Sequence, residues 1–120
     1  MSDAGPDRFL AVVSATELNI RRMRGDQVVV ELKGEHEAYS AGKLERELDH
    51  LLDEGFGIVV DLRRASFIDS QTAALLLSAH RRAQARGTEF RVLIGDDTGW
   101  AVRTLLDVTG LGNILQVAEE

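Results

Sequence analysis

Residues Ile58-Val59-Val60-Asp61-Leu62 form an almost unbroken apolar run between Gly57 and the charged pair Arg63-Arg64. Both alternating sets of side chains are apolar, apart from one aspartate. A run this short, this β-branched and apolar on both faces is a strand buried on both sides, as in parallel pairing. Parallel neighbours need long crossovers, so helices are expected on either side of it in the sequence.

The flanking residues meet that demand. From Ala41 to Glu54 the apolar residues are Leu44, Leu48, Leu51 and Leu52, one helical face, while Glu45, Arg46, Glu47, Asp49 and Asp53 cover the rest. Ser40 is the predicted cap, and Gly55 and Gly57 stop the helix. Downstream, Gln71–Arg86 is a second helix with Leu75, Leu76, Ala79 and Ala83 on its apolar stripe, closed by Gly87. Glu89–Ile94 reads as another strand, ending at Gly95-Asp96-Asp97. Trp100–Val108 reads as a third helix, with Val102, Leu105, Leu106 and Val108 facing in and Thr98 or Gly99 as its cap. Ile114–Val117 is a last short strand.

Before all of this, Leu18–Arg21 and Gln27–Leu32 flank the turn residues Arg24-Gly25-Asp26 and predict an antiparallel hairpin, which Lys33-Gly34-Glu35 ends. The expected class is α/β: a single domain with one mixed sheet and helices packed against it, in the order β-β-α-β-α-β-α-β. Residues 1–15 read as an N-terminal leader outside the fold, broken by Gly5-Pro6, and 16–120 as the domain.

Charge and composition narrow the function. The net charge is −6, a poor match to nucleic-acid phosphates. The arginine groups at Arg21, Arg22 and Arg24 and at Arg81, Arg82 and Arg86 read as solvated faces. There is no cysteine, which removes thiolate metal sites and cysteine nucleophiles. No stretch approaches the ~20 apolar residues of a membrane span. Asp3 and Asp7 before a short apolar run, Phe9–Val13, do not make a secretory signal. A cytoplasmic protein without membrane insertion is expected.

The chemistry-bearing segment is Phe67-Ile68-Asp69-Ser70, which puts a carboxylate and a hydroxyl at the start of a helix. Unpaired N–H groups and the positive dipole end favour an anion there, and a phosphate on Ser70 would find that environment. On local chemistry alone the pair is also an ordinary cap, worth about 1 kcal/mol. His36, His50 and His80 have no metal-ligand spacing. His36, between Glu35 and Glu37, reads as an exposed turn; His50 and His80 read as helix-surface residues. Ser70 lacks a nucleophile elbow, and Gly95-Asp96-Asp97-Thr98-Gly99 lacks the P-loop lysine. Trp100 reads as core or as a partly buried lid. No catalytic residue, metal or cofactor is expected, and the chain is read as a non-enzyme.

Phe67-Ile68-Asp69-Ser70 resembles the signature of STAS domains, whose best-known soluble members are bacterial anti-sigma factor antagonists. Val102-Arg103-Thr104-Leu105-Leu106-Asp107-Val108-Thr109-Gly110-Leu111 is similar to the family's late helix and its Gly-Leu ending. Gly34-Glu35 is similar to the Gly-Glu before its first helix. The resemblance spans about Leu18 to Val117. It implies a partner switch: the antagonist binds an anti-sigma factor that is often also a Ser/Thr kinase, phosphorylation of the serine after the motif aspartate releases it, and a phosphatase restores it. Ser70 would then be the phosphoacceptor, and Glu35, His36, Glu37, Asp69, Ser70, Gln71 and Thr72 the partner-binding residues, with Ser66 and Thr72 as less well matched hydroxyls. Many members carry Ser or Thr and then Gly where this chain has Gln71-Thr72. That difference keeps a second reading open, a STAS subunit of a lipid-transport or stress-signalling assembly without regulatory phosphorylation. A third is a small enzyme or ligand binder using Ser70 with Asp69.

Overall fold

One strand, Gln27–His36, organises the sheet by pairing with three others. The computed structural model describes residues 17–120, and the leader read at 1–15 lies outside the described residues. The elements are β1 (Glu17–Arg22), β2 (Gln27–His36), α1 (Ala38–Asp53), β3 (Gly57–Asp61), β4 (Ala65–Ile68), α2 (Ser70–Arg86), β5 (Phe90–Ile94), α3 (Trp100–Val108), α4 (Leu111–Ile114) and β6 (Gln116–Glu119). The order β1-β2-β3-β5-β6 makes one sheet, and β4 pairs with β2 off that path. Only β1 is antiparallel, as a hairpin with Leu18 opposite Leu32; the pairs β2–β3, β3–β5 and β5–β6 are parallel. The expected α/β class and element order are therefore present, with β4 and the one-turn α4 added.

Alternation along the strands sorts the core. Val28, Val30, Leu32, Ile58, Val60, Leu62, Phe90 and Val92 form one cluster with Leu44, Leu48 and Leu52 of α1, Leu76 and Ala79 of α2, and Val102 and Leu106 of α3. The alternate residues Val29, Val59 and Leu93 form a small cluster on the other face. All of β3 is buried, as its double-sided apolar pattern predicts.

Several boundaries move. β2 continues through Lys33-Gly34-Glu35 to His36. Its first half pairs with β3 (Gln27↔Gly57 to Glu31↔Asp61) and its last residues with β4 (Gly34↔Ala65, His36↔Ile68). The register shifts at Gly34, whose φ of +84° suits glycine. α1 begins three residues early, so Glu37 rather than Ser40 is its N-cap residue. Thr98 does not cap α3; its hydroxyl accepts from Gly95 N–H at 2.8 Å and donates to Leu62 O at 3.1 Å, closing the loop after β5. Gly99 is the N-cap residue of α3.

Candidate functional site

The site grows from the end of β2. The His36 carbonyl accepts the Asp69 N–H at 3.1 Å and the Thr72 hydroxyl at 3.2 Å. Asp69 keeps an extended backbone, and its carboxylate accepts the Thr72 N–H at 2.8 Å, capping α2. These three bonds hold the first turn of the helix. They leave Ser70, the first helical residue, exposed, with Gln71 exposed beside it. Among the described residues the Ser70 hydroxyl makes no hydrogen bond. The handle that a modifying enzyme would need is accessible.

Beside Ser70 lies an open groove of about 320 Å³ between β4 and α3. Phe67, Ile68, Asp69 and Ser70 form one wall; Trp100, Ala101, Thr104, Leu105 and Val108 form the other. α3 has two stripes. Val102 and Leu106 point into the core, whereas Trp100, Thr104 and Val108, spaced four apart, run down a different face. Trp100 is 79% exposed and Val108 75% exposed. This corrects the sequence expectation for both: on a helix whose inward stripe is 102–106, positions 100 and 108 fall outside it.

Close backbone contact fixes the groove's width. Gly99 N–H donates to Ala65 O at 2.8 Å, and a Cβ on Gly99 would overlap the backbone of Ser66. Only glycine lets α3 start this near β4. Asp69 is the one charged residue among the nine that line the groove, with Glu35 and Glu37 exposed on the neighbouring segment. Arg103 is engaged elsewhere, donating to Gly95 O at 2.6 Å and Glu119 at 2.7 Å.

Not all expected site residues reach the surface. Glu35, Glu37, Ser70 and Gln71 are exposed and Asp69 is partly so. His36 is 0% exposed. The exposed turn expected from its charged neighbours is overturned, because successive residues of a strand face opposite ways and His36 points inward. Thr72 is likewise 0% exposed, its hydroxyl spent on His36 O, so its side chain is structural rather than partner-facing. His80 is also buried rather than on the helix surface: it follows Leu76 by four and precedes Ala83 by three on the inward stripe, edge-on to Phe90. His50 is exposed, as expected.

Away from this groove, Asp61 is 2% exposed at the end of β3 and forms a two-pronged pair with Arg63, at 3.0 and 2.8 Å. Burial pushes its carboxyl up, but the Arg63 hydrogen bonds, with the charges of Arg63 and Arg21, outweigh burial and hold it below 3.8. Among the described residues no three His, Cys, Asp or Glu side chains converge on a metal position, and no helix is long and apolar enough to cross a membrane.

A mixed six-stranded sheet opened by an antiparallel hairpin, with helices packed against it, defines an α/β domain of the STAS type. The family model described as "Mlab, STAS domain" matches residues 20–116, and the chain belongs to that family. Solved structures agree on the fold. An anti-sigma factor antagonist from Mycobacterium paratuberculosis superposes with a TM-score of 0.74 at 21% identity, over 85% of this chain and 84% of that one. The Bacillus cell fate determinant SpoIIAA in its phosphorylated form gives 0.68 at 22% identity, over 87% and 93%. The anti-sigma factor antagonist SpoIIAA in its unphosphorylated form gives 0.68 at 19% identity, over 87% and 89%. No curated protein matches the chain.

Proposed function

We propose that this chain is an anti-sigma factor antagonist of the cytoplasm, a non-enzymatic switch that docks an anti-sigma factor kinase through the Ser70 turn and the groove between β4 and α3. The observation that carries this reading is the exposed Ser70 at the first position of α2, on the rim of an apolar groove. The solved SpoIIAA structures, one phosphorylated and one not, support it by sharing the fold.

The physics of release follows from that rim. Phosphorylation adds about −1.5 to −2 charges at neutral pH. The free N–H groups of the first turn stabilise the dianion while it is solvated. A partner covering the groove must strip its water, next to Asp69, which costs several kcal/mol. The modified chain therefore stays folded but loses its partner, and a phosphatase resets it.

Incubation with the cognate kinase and ATP, followed by peptide mass spectrometry, tests the reading. Phosphate should appear on Ser70, Ser70→Ala should bind but resist modification, and Ser70→Asp should bind weakly. Modification of another hydroxyl with Ser70 untouched refutes it. Gln71, bulky and exposed beside Ser70, favours one rival: the same surface docks a lipid-transport or stress-signalling assembly without phosphorylation. An ATPase subunit that co-purifies in place of a small ATP-binding kinase selects that rival.

A further inference from the structure

We propose that His36 is a proton-sensitive positioning residue for the Ser70 turn, its neutral imidazole holding the turn and its protonated form releasing it. This rests on the reading of that turn as the switch.

Four segments meet at His36. The ring Nε2 lies 3.0 Å from Glu17 O in β1 and 3.1 Å from Lys33 O in β2. Two carbonyls can only accept, so Nε2 carries a proton in the neutral tautomer. Nδ1 lies 3.1 Å from the Ser40 hydroxyl in α1, which is itself 3.2 Å from Glu37 O. The backbone carbonyl of the same residue anchors Asp69 and Thr72 at the start of α2. Anything that shifts this residue shifts the attachment of the helix that displays Ser70.

In the neutral state Nδ1 accepts the Ser40 proton. A proton taken from solvent onto Nδ1 reverses that bond: Nδ1–H donates to Ser40 Oγ, and the Ser40 proton turns to Glu37 O. The cost lies in placing a charge on a wholly buried ring. The charged residues at or next to the positions that touch it are Glu17 of β1, Lys33 and Glu35 of β2, Glu37 before α1 and Asp69 before α2. None of their charged atoms bonds the ring among the described residues. Burial dominates and lowers the imidazole's affinity for a proton below the ordinary 6.5, with the Lys33 and Glu17 carbonyls pulling the other way. The neutral ring is thus the state that fits the closed joint, and protonation favours arrangements in which the ring gains water.

Two-dimensional NMR of the full chain, titrated downward from pH 7.5, tests this without any partner. The Asp69 and Thr72 amide signals should move with the midpoint of the His36 ring, below 6.5. In His36→Gln, which retains a donor toward the carbonyls, that movement should vanish. Ser40→Ala, on a half-buried helix start, removes the acceptor of the charged ring and should lower the midpoint further. Amides that ignore the His36 midpoint, a movement that survives in His36→Gln, or an unmoved midpoint in Ser40→Ala overturns the proposal. Failure here is distinguishable from failure of the docking reading, which the Ser70 binding assay decides alone.

Discussion

The α1–α2 pair and the α3–β4 edge flank the same sheet, and they are finished differently. α1 and α2 bury their leucines against each other and the strands, then close the outer seam with charge: Arg82 bonds Asp49 and lies 3.7 Å from Asp53, and Arg86 reaches Asp53 at 3.4 Å and Leu52 O at 2.6 Å. α3 also buries a stripe, but it carries Trp100 and Val108 on a second face that no described element covers. On one flank the described leucines pack within the chain, fully or partly buried. The other spends an indole on water. That asymmetry is the physical basis for proposing α3–β4 as the docking face.

The comparison can be broken by measurement. Leu76→Ala, at a fully buried position of α2, should cost about 2–5 kcal/mol in urea unfolding, whereas Trp100→Ala should stay within about 0.5 kcal/mol. Equal costs would mean that the indole is structural. In binding the ranking reverses: Trp100→Ala should weaken partner affinity by about 2 kcal/mol in calorimetry, roughly 30-fold, and Leu76→Ala, where still folded, far less. Asp61→Asn should flatten the acid limb of the stability curve. The folded carboxyl is held below 3.8, so its contribution is full above that value and is lost as pH falls through the lower folded value. Urea midpoints between pH 5 and pH 2 check this. Smallest of all, Arg82→Ala should cost about 0.5 kcal/mol or less, and less still in high salt, because its seam is solvent-exposed.

Regular periodicity made most of the fold legible. The hairpin, α1, α2 and β5 carry clean patterns of two or 3.6 residues. β4 escaped because only Phe67-Ile68 is strongly apolar, and its strand character comes from pairing with the far end of β2. His36 was hidden by its neighbours, since charged residues on both sides suit an exposed turn and an inward strand position equally well. Trp100 and Val108 looked like core because a helix with two apolar stripes resembles one broad stripe until packing selects between them. Of the candidate site, Asp69-Ser70 was visible as cap chemistry. The groove beside it was not, because it depends on Gly99 pressing α3 against Ser66, a contact between residues 33 apart in the chain.

β2 changes partner half-way along. Five of its residues pair with β3, and beyond the kink at Gly34 only its tip pairs with β4. The serine-bearing edge therefore meets the main sheet through the tip of one strand, while Gly99 N–H on Ala65 O and the buried residues of α2 hold it from the sides. The ladder between β2 and β3 ends at Glu31, five residues before the carbonyl that anchors the serine turn, so substitutions at the two ends of one strand act on different things: pairing at one, display of the hydroxyl at the other.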